Sequence, residues 1–226
     1  PGNEVTPTTV AGVTNYPRNF NWKHYQIVEA KAFRYLMTGE ELYGYQAIKA
    51  MKNVFNTIII KGGTNNDSCR YWGQILFTAA VVYDWCYDLL TDADKDMFLA
   101  AACNKIGPAM EIGYVPGGQS AVGGHGCEAQ LLRDWFSFAI AVYDADGSPY
   151  NKIYNFVAGR IMDEYVPGQN YMLQAGVQFE GSSYGPYRFY FTMMAQIMMS
   201  TASCPSGWED MRSSAASKER RLPRPV

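Results

Sequence analysis

The chain has 226 residues and a formal net charge of −2, with 48% hydrophobic and 18% charged residues. Such a composition is typical of a folded globular protein and excludes a chain that is disordered throughout. The small negative charge argues against a general nucleic-acid binder, but it is compatible with a local cationic groove for an acidic polymer.

The five cysteines are scattered, and none of them belongs to a CxxC pair. Neither a zinc ribbon, a thioredoxin-type site nor a disulfide framework is therefore indicated. No stretch reaches the roughly 18–20 apolar residues of a membrane span. The chain also opens without a signal-peptide pattern, which fits either a cytosolic protein or one whose leader is missing.

Helical periodicity starts near Trp22, after an arm over residues 1–21 that is rich in Thr, Pro, Asn and Gly and is predicted to be irregular. The first predicted helix spans 22–37 and is stopped by Thr38-Gly39. Apolar residues spaced three and four positions apart predict its buried face, namely Ile27, Ala30, Phe33 and Met37.

Capping residues and prolines separate the later helices. After a second helix from Glu40 to about Thr57, the run Thr91–Asp94 is typical of a capped restart, and Pro149 suits the first turn of a helix. Further helices are predicted at about 71–90, 92–112, 127–144, 149–165 and 184–203. Loops are predicted at 61–69, 113–126 and 167–183, and strand signals are weak and brief.

A short repeat organises these helices. The run Ala80–Asp84 recurs, with one extra residue, at Ala139–Asp144, about 60 residues later. A period of that size suits a two-helix unit with a long loop, which predicts an all-α array of helical hairpins, either a solenoid or an α/α toroid. The long loops fall at alternate helix junctions and hence at one end of the array, where loops commonly build a site. Residues 205–226 lack any apolar period and are predicted to be disordered or foreign to the fold.

The side chains best suited to proton transfer and anion binding lie at two predicted loop-to-helix junctions. Gly123–Glu128 places His125 and Glu128 three residues apart in a glycine-rich stretch, which is typical of an anion site with a titratable ring. Tyr184 and Tyr187 have the same spacing at the start of the last predicted helix. The other histidine, His24, is predicted to be a surface or packing residue.

These residue types are compatible with three chemistries. A metal site is disfavoured because only two histidines exist and no HExxH is present, and serine chemistry because Ser182 and Ser183 lack the G-x-S-x-G context. Acid–base chemistry fits better, since a histidine accepts a proton and a tyrosine exchanges one. That combination matches β-elimination on a uronic acid, in which the C5 proton leaves, the carboxylate charge is offset and the O4 leaving group is protonated.

The chain also resembles the heparinase II/III-like polysaccharide lyases over about residues 22–204. The resemblance is carried by the combination and order of short motifs rather than by any one of them. These motifs are Tyr35–Thr38, Arg70, Val82–Asp88, Gly124–Glu128, Leu132–Asp134, Ala141–Asp144, Tyr154, Ala158–Arg160 and Gly181–Tyr184.

The resemblance implies a fold and residue roles. It implies an incomplete (α/α) toroid, built from successive antiparallel hairpins, of an enzyme that cleaves a uronic-acid-containing polysaccharide such as heparin or heparan sulfate. His125 then resembles the base for one uronate epimer, and Tyr184 resembles the acid and the base for the other epimer. Glu128 lies where the family contacts the substrate carboxylate, Arg70 matches a substrate-binding cation, and Tyr187 is a neighbouring substrate contact.

The same resemblance implies the surroundings of the domain. A C-terminal β-sandwich, which carries a second catalytic histidine and a metal site, is expected in the full-length parent, so no cofactor or metal is expected within this chain. The expected location is secreted or periplasmic, and the expected partner is an acidic polysaccharide rather than nucleic acid or a membrane. A non-catalytic carbohydrate-binding toroid, an alginate-type uronan lyase and an α/α glycoside hydrolase are the alternatives.

Overall fold

The computed structural model describes the chain in several stretches, and at 8–10, 13–15, 68–70 and 148–151 it describes the backbone alone. The described stretches are 8–10, 13–15, 22–58, 68–110, 112, 129–143, 148–172, 174 and 189–198.

Two short strands lie near the N-terminus. β1 (Thr8–Val10) pairs antiparallel with β2 (Val13–Asn15), and Val10 stands opposite Val13. The sequence predicts no regular structure in this arm. Only two residues separate the strands, and an antiparallel pair is the arrangement that so short a connection can join.

The remaining described elements are helical, which confirms the all-α prediction for the body of the chain. The α-helices are α1 (Trp22–Thr38), α2 (Glu41–Thr57), α3 (Ser68–Trp85), α4 (Asp92–Ala100), α5 (Phe136–Ala141), α6 (Ser148–Gly159), α7 (Val166–Met172) and α8, helical at 189–198. Three π-helical segments adjoin them, namely π1 (Ala101–Ile106), π2 (Ala129–Trp135) and π3 (Arg160–Tyr165). Short 3-10 turns lie at Tyr87–Leu89 and Gly107–Ala109.

Two predicted helix ends are confirmed by their local geometry. α1 stops before Gly39, whose φ of 71° is the left-handed conformation that glycine adopts at least cost. α4 begins with a complete capping box, in which the Thr91 hydroxyl accepts from the Asp94 backbone N–H and the Asp94 carboxylate accepts from that of Thr91.

The predicted buried face of α1 is wrong. Ile27 and Met37 are 56% and 67% exposed, and Ala30 and Phe33 also face outward. The buried side chains are instead Tyr25, Val28 and Ala32. The helix carries two stripes of apolar residues, and the one with the smaller Val28 and Ala32 side chains lets α1 come closest to its neighbours.

The predicted loop start at Pro167 is also wrong, because helical structure continues through α7 to Met172. Proline lacks the backbone N–H that an α-helix interior uses. Here π3 ends two residues before the proline, and Val166 N–H bonds to the carbonyl of Ile161, five residues earlier. The hydrogen-bonding register therefore changes next to the proline, where a missing donor is tolerated.

Side-chain contacts fix the direction of the first four helices. α1 and α3 run the same way, because contacting pairs ascend along both of them, from Trp22–Tyr71 (6.2 Å between ring centroids) through Glu29–Thr78 (2.7 Å) to Phe33–Trp85 (5.6 Å). α2 and α4 also run the same way, since Lys52 pairs with Asp94 and Phe55 stacks on Phe98. The tight turn at Gly39 reverses the chain between α1 and α2, so α3 and α4 are antiparallel too.

The later helices continue this pattern. Ile112, just after α4 and π1, is bonded to Gln130 and Trp135 of π2, so π2 begins at the end of the array where π1 finishes. α8 runs in the direction of π2 and α5, because its residue 191 lies near residue 133 and its residue 198 near residue 137. α1, α3, π2 and α8 therefore begin at the same end of the array.

We call this the loop-bearing end, since the long segments 59–67, 113–128 and 173–188 directly precede α3, π2 and α8. The opposite end, where α1 turns into α2 and α3 into α4, is called the turn end. The core is centred on α3, which packs against α1 and α2 as well as against π2 and α5. Within the described part of the chain, no helix has the length and apolar character needed to cross a bilayer.

Candidate functional site

Four of the five predicted site residues, His125, Glu128, Tyr184 and Tyr187, lie outside the described residues. The fifth, Arg70, lies in the first turn of α3, and its side chain is also outside them. What the structure does describe is the set of helices that these residues introduce, and the side chains packed directly beneath their starts.

All three π-helical segments lie toward the loop-bearing end. π1 finishes there and π2 begins there, while π3 meets the first described turns of α8 through the hydroxyls of Tyr165 and Thr192, 2.8 Å apart. π-Helical turns are uncommon and frequently occur at functional sites. Their concentration at one end marks that end as the candidate functional site.

The Arg133–Asp134 pair of π2 is the most unusual polar feature of this end. Arg133 Nε donates to Asp134 Oδ1 at 2.5 Å, and Asp134 is wholly buried. Burial raises the pKa of Asp134, while the charge and hydrogen bond of Arg133 act in the opposite direction. Asp134 Oδ2 has no hydrogen-bond partner in the part of the chain that the structure describes. An unsatisfied buried oxygen costs free energy, so the arrangement is not explained by stability alone.

Gly73 of α3 makes room for this carboxylate. A Cβ atom at position 73 would lie 2.0 Å from Asp134 Oδ2 and 2.9 Å from its Cγ. No side chain fits there without displacing the aspartate, so α3 and π2 approach each other closely only because residue 73 is glycine.

Arg133 joins three helices that begin at the loop-bearing end. Its guanidinium carbon lies 5.3 Å from the ring centre of Phe77 in α3 and 5.6 Å from that of Phe191 in α8. Cations over aromatic faces at these distances are attracted by the ring quadrupole. The Arg133 side chain keeps 23% of its surface exposed, so the cation is partly accessible from the solvent.

A second polar cluster holds the start of π2 to the end of the preceding helix. Gln130 Oε1 accepts from Ile112 N–H at 2.9 Å, and Trp135 Nε1 donates to Ile112 O at 2.7 Å. Gln130 Nε2 is buried and has no partner among the described residues. Gln130 and Asp134 are four positions apart, and a π-helix, with its i→i+5 hydrogen bonds, brings that spacing close to one full turn.

A second arginine of this region lies on π3. Arg160 Nη1 donates to Glu164 Oε1 at 2.6 Å, and both side chains are partly exposed. Sequence reasoning assigned no role to Arg133, Asp134, Gln130 or Arg160. The available signal was the presence of Gln130, Arg133 and Asp134 within a mostly apolar run from Ala129 to Tyr143.

The remaining histidine and two of the cysteines are packed into the fold. His24 packs edge-on against Tyr25, with ring centroids 5.3 Å apart, and burial lowers its pKa. Cys86 is buried and Cys103 half-buried, and burial raises their thiol pKa values to about 12 and about 11. Among the residues that the structure describes, no three His, Cys, Asp or Glu side chains form a group suited to a metal ion.

A comparison with protein-family models gives no match for this chain, and neither does a comparison with curated proteins.

Proposed function

We propose that this chain is the α/α-toroid part of a polysaccharide lyase that cleaves uronic-acid-containing acidic polysaccharide, such as heparin or heparan sulfate, by β-elimination. His125 and Tyr184 are the proposed proton-transfer residues. Glu128, Arg70 and Tyr187 are the proposed substrate-binding residues. The proposal combines the motif resemblance with the direction of the helices that follow these residues.

The helix directions are the observation that carries the proposal. Residue 128 is bonded to the first residue of π2, residue 187 is two positions before α8, and Arg70 belongs to the first turn of α3. These three helices begin at the same end and are bridged by Arg133. A site that combines the three entrances therefore requires no rearrangement of the described helices.

The chemistry assigns separate tasks to these groups. A neutral histidine at position 125 takes the C5 proton, whose acidity depends on offsetting the uronate charge next to it. Arg70 supplies positive charge for that purpose, and Glu128 hydrogen-bonds the carboxyl group when one of the two acids holds a proton. Tyr184 then donates its phenolic proton to the O4 leaving group, so that the C4–O4 bond breaks as the C4–C5 double bond forms.

The toroid itself is part of the proposal. Antiparallel hairpins whose inner helices share one direction and pack side by side are the building pattern of an α/α toroid as well as of an open solenoid. A ring places the starts of its inner helices around one cleft, which is what an enzyme acting on a polymer requires. We further propose that a β-sandwich domain follows in the full-length protein, which is secreted or periplasmic, and that the toroid itself carries no cofactor.

The test replaces Tyr184 by phenylalanine in the protein that contains this chain. We expect the Tyr184→Phe variant to lose about 10²- to 10⁴-fold in turnover, the usual contribution of a positioned acid or base. Ultraviolet absorbance of the unsaturated uronate product measures the rate. The matched control is Tyr171→Phe, since Tyr171 is 79% exposed on α7.

The outcomes separate the alternatives. Undiminished product formation by Tyr184→Phe, or equal loss in Tyr171→Phe, contradicts the assignment. New reducing ends without the unsaturated chromophore indicate a glycoside hydrolase. Binding of the polysaccharide without any cleavage indicates a carbohydrate-binding toroid.

A further inference from the structure

The turn end carries a group of exposed apolar side chains. They belong to the last turn of α1, the first turns of α2 and the 3-10 turn after α3, and they are Leu36, Leu42, Tyr45 and Tyr87. Each of them is between 40% and 63% exposed. We call these four side chains the turn-end face. Large apolar side chains that gather on a protein surface in this way are typical of an interaction site.

Close packing joins the three elements of the turn-end face into one surface. A Cβ atom at Gly44 of α2 would lie 2.4 Å from Cδ1 of Leu89, in the 3-10 turn, and 3.0 Å from Cγ of Tyr35, in α1. The absence of a side chain at position 44 therefore lets the 3-10 turn and α1 meet on α2. Every member of the turn-end face lies within two residues of one of these three positions along the chain.

Two exposed carboxylates accompany these apolar side chains, since Glu41 precedes Leu42 and Asp88 follows Tyr87. In the part of the chain that the structure describes, neither carboxylate takes part in an ion pair. Desolvation and, after it, the negative charges of Asp88 and Glu41 raise the pKa of Tyr35, so both charges act at the point where the three elements meet. Water solvates both carboxylates, and they remain available to a cationic partner.

The cations nearest to this surface are already engaged. Arg34 is paired with Glu40 at 3.0 Å. Lys95 lies over an aromatic ring of the turn-end face, with Nζ 3.8 Å from the ring centre, and two exposed carboxylates of the same helix, Asp92 and Asp96, accompany it. Acidic groups therefore outnumber the cations around the turn-end face, and the field toward the solvent is negative.

We propose that the turn-end face binds a basic protein segment in which aliphatic side chains alternate with lysines or arginines. The aliphatic Leu36 and Leu42 favour a protein chain over a sugar, because they offer apolar area without a polar edge. The carboxylates attract a cationic partner and repel an acidic polysaccharide. Because the turn end is opposite the loop-bearing end, such a partner docks without covering the proposed substrate entrances.

A synthetic amphipathic helix of leucine and lysine is the probe, and calorimetry measures its Kd. Two comparison peptides keep the same pattern, one with glutamate in place of lysine and one with serine in place of leucine. We expect the leucine–lysine peptide to bind the wild type. Each comparison peptide should bind at least about 10-fold more weakly, because it lacks either the charge or the apolar part of the complementarity.

Two double variants locate the binding on the turn-end face. Leu42→Ser/Tyr45→Ser should weaken binding of the leucine–lysine peptide about 10- to 100-fold, as for the loss of central apolar contacts. Glu41→Gln/Asp88→Asn should weaken it about 10-fold in low salt and make the Kd less dependent on salt. All four positions are exposed in the free protein, so both variants should fold, which circular dichroism checks.

The chain offers matched controls for both kinds of change. Tyr171→Ser makes the same aromatic substitution at an exposed position of α7, and Asp163→Asn removes an exposed carboxylate from π3. Both residues lie outside the turn-end face. Neither control should change the Kd of the leucine–lysine peptide.

The inference is overturned if the wild type does not bind the leucine–lysine peptide, if either comparison peptide binds as tightly, or if the controls lose as much affinity as the turn-end variants. Sedimentation of the protein alone tests a different occupant. A dimer that Leu42→Ser/Tyr45→Ser dissociates would assign the face to a second copy of the chain and would also overturn the inference. None of these measurements depends on lyase activity, so the proposed function and this inference can fail separately.

Discussion

The two ends of the hairpin array differ in how their polar groups are paired. At the turn end, polar groups are paired locally, as in the Thr91–Asp94 capping box and the Arg34–Glu40 ion pair, and Gly39 supplies the one left-handed residue that the turn needs. At the loop-bearing end, π-helical segments replace regular turns, and Gln130 and Asp134 each bury an atom without a described partner. The turn end is arranged for stability, whereas the loop-bearing end keeps polar groups that stability does not require.

The largest expected effect concerns the close approach at the loop-bearing end. Gly73→Ala places a methyl group within 2.0 Å of Asp134 Oδ2, so we expect a loss of about 1–3 kcal/mol in the free energy of unfolding, as in other overpacked cores. Urea denaturation measures it. Gly159→Ala is the matched control, because the nearest atom to its new methyl group is 3.9 Å away, and this change should stabilise the helix by about 0.5–1 kcal/mol. Equal effects of the two substitutions would show that the approach is not tight.

An effect of intermediate size is expected in the pH dependence of the free energy of unfolding, which should differ between the two ends. Burial acts to raise the pKa of Asp94, but its hydrogen bonds with Lys52 and Thr91 outweigh burial and lower that pKa. Its stabilisation is therefore present at neutral pH and is lost as the pH falls through about 4 and below. Asp94→Asn should cost about 0.5–2 kcal/mol at neutral pH, the usual value of such a cap.

Asp134 should show the opposite sign. Because burial raises its pKa in the folded state, ionisation opposes folding, and the wild type should lose stability relative to Asp134→Asn as the pH rises above about 4. Unfolding measured across acidic and neutral pH tests both residues together. A parallel pH dependence for the two variants would mean that the ends do not differ in this respect.

The smallest effect is expected at the surface of the turn end. The Arg34–Glu40 ion pair is about half exposed on both sides, so solvent screens it. Arg34→Gln should lower the free energy of unfolding by about 0.2–1 kcal/mol, and less in high salt. Thermal unfolding at two salt concentrations is a sufficient measurement. A cost of several kcal/mol would show that the turn end, too, depends on a single charge.

The sequence predicted those features whose causes are local. The stop of α1 at Gly39 and the restart at Thr91 follow from residues within one turn of each helix end. The face of α1 was missed because two stripes, one with Val28 and one with Ile27, are both apolar, and only the packing partner selects between them. Helical continuation past Pro167 was missed because it depends on the hydrogen-bonding register of the preceding π-helix.

In the candidate site, too, local features can be predicted from the sequence and contacts between distant residues cannot. The loop-to-helix entrances at 123–128 and 184–187 are predicted from glycine, histidine and tyrosine spacing, and they lie outside the described residues. The contact between Gly73 and Asp134 could not be predicted, because the two residues are far apart in the chain and a polar residue in an apolar run does not indicate which glycine faces it. Their relation is a property of how α3 and π2 are packed, which no local pattern encodes.

The two hydrogen bonds at Ile112 have a consequence for how this domain can vary. Side chains of π2 bind both the amide and the carbonyl of Ile112, so the distance that the segment 113–128 must span is set by the helices and not by the segment itself. Lengthening a loop between fixed ends costs only about 0.6 kcal/mol for each doubling. We therefore expect an insertion between the fixed positions 112 and 129 to change the free energy of unfolding by well under about 1 kcal/mol, so that chain length can vary there without altering the helices on either side.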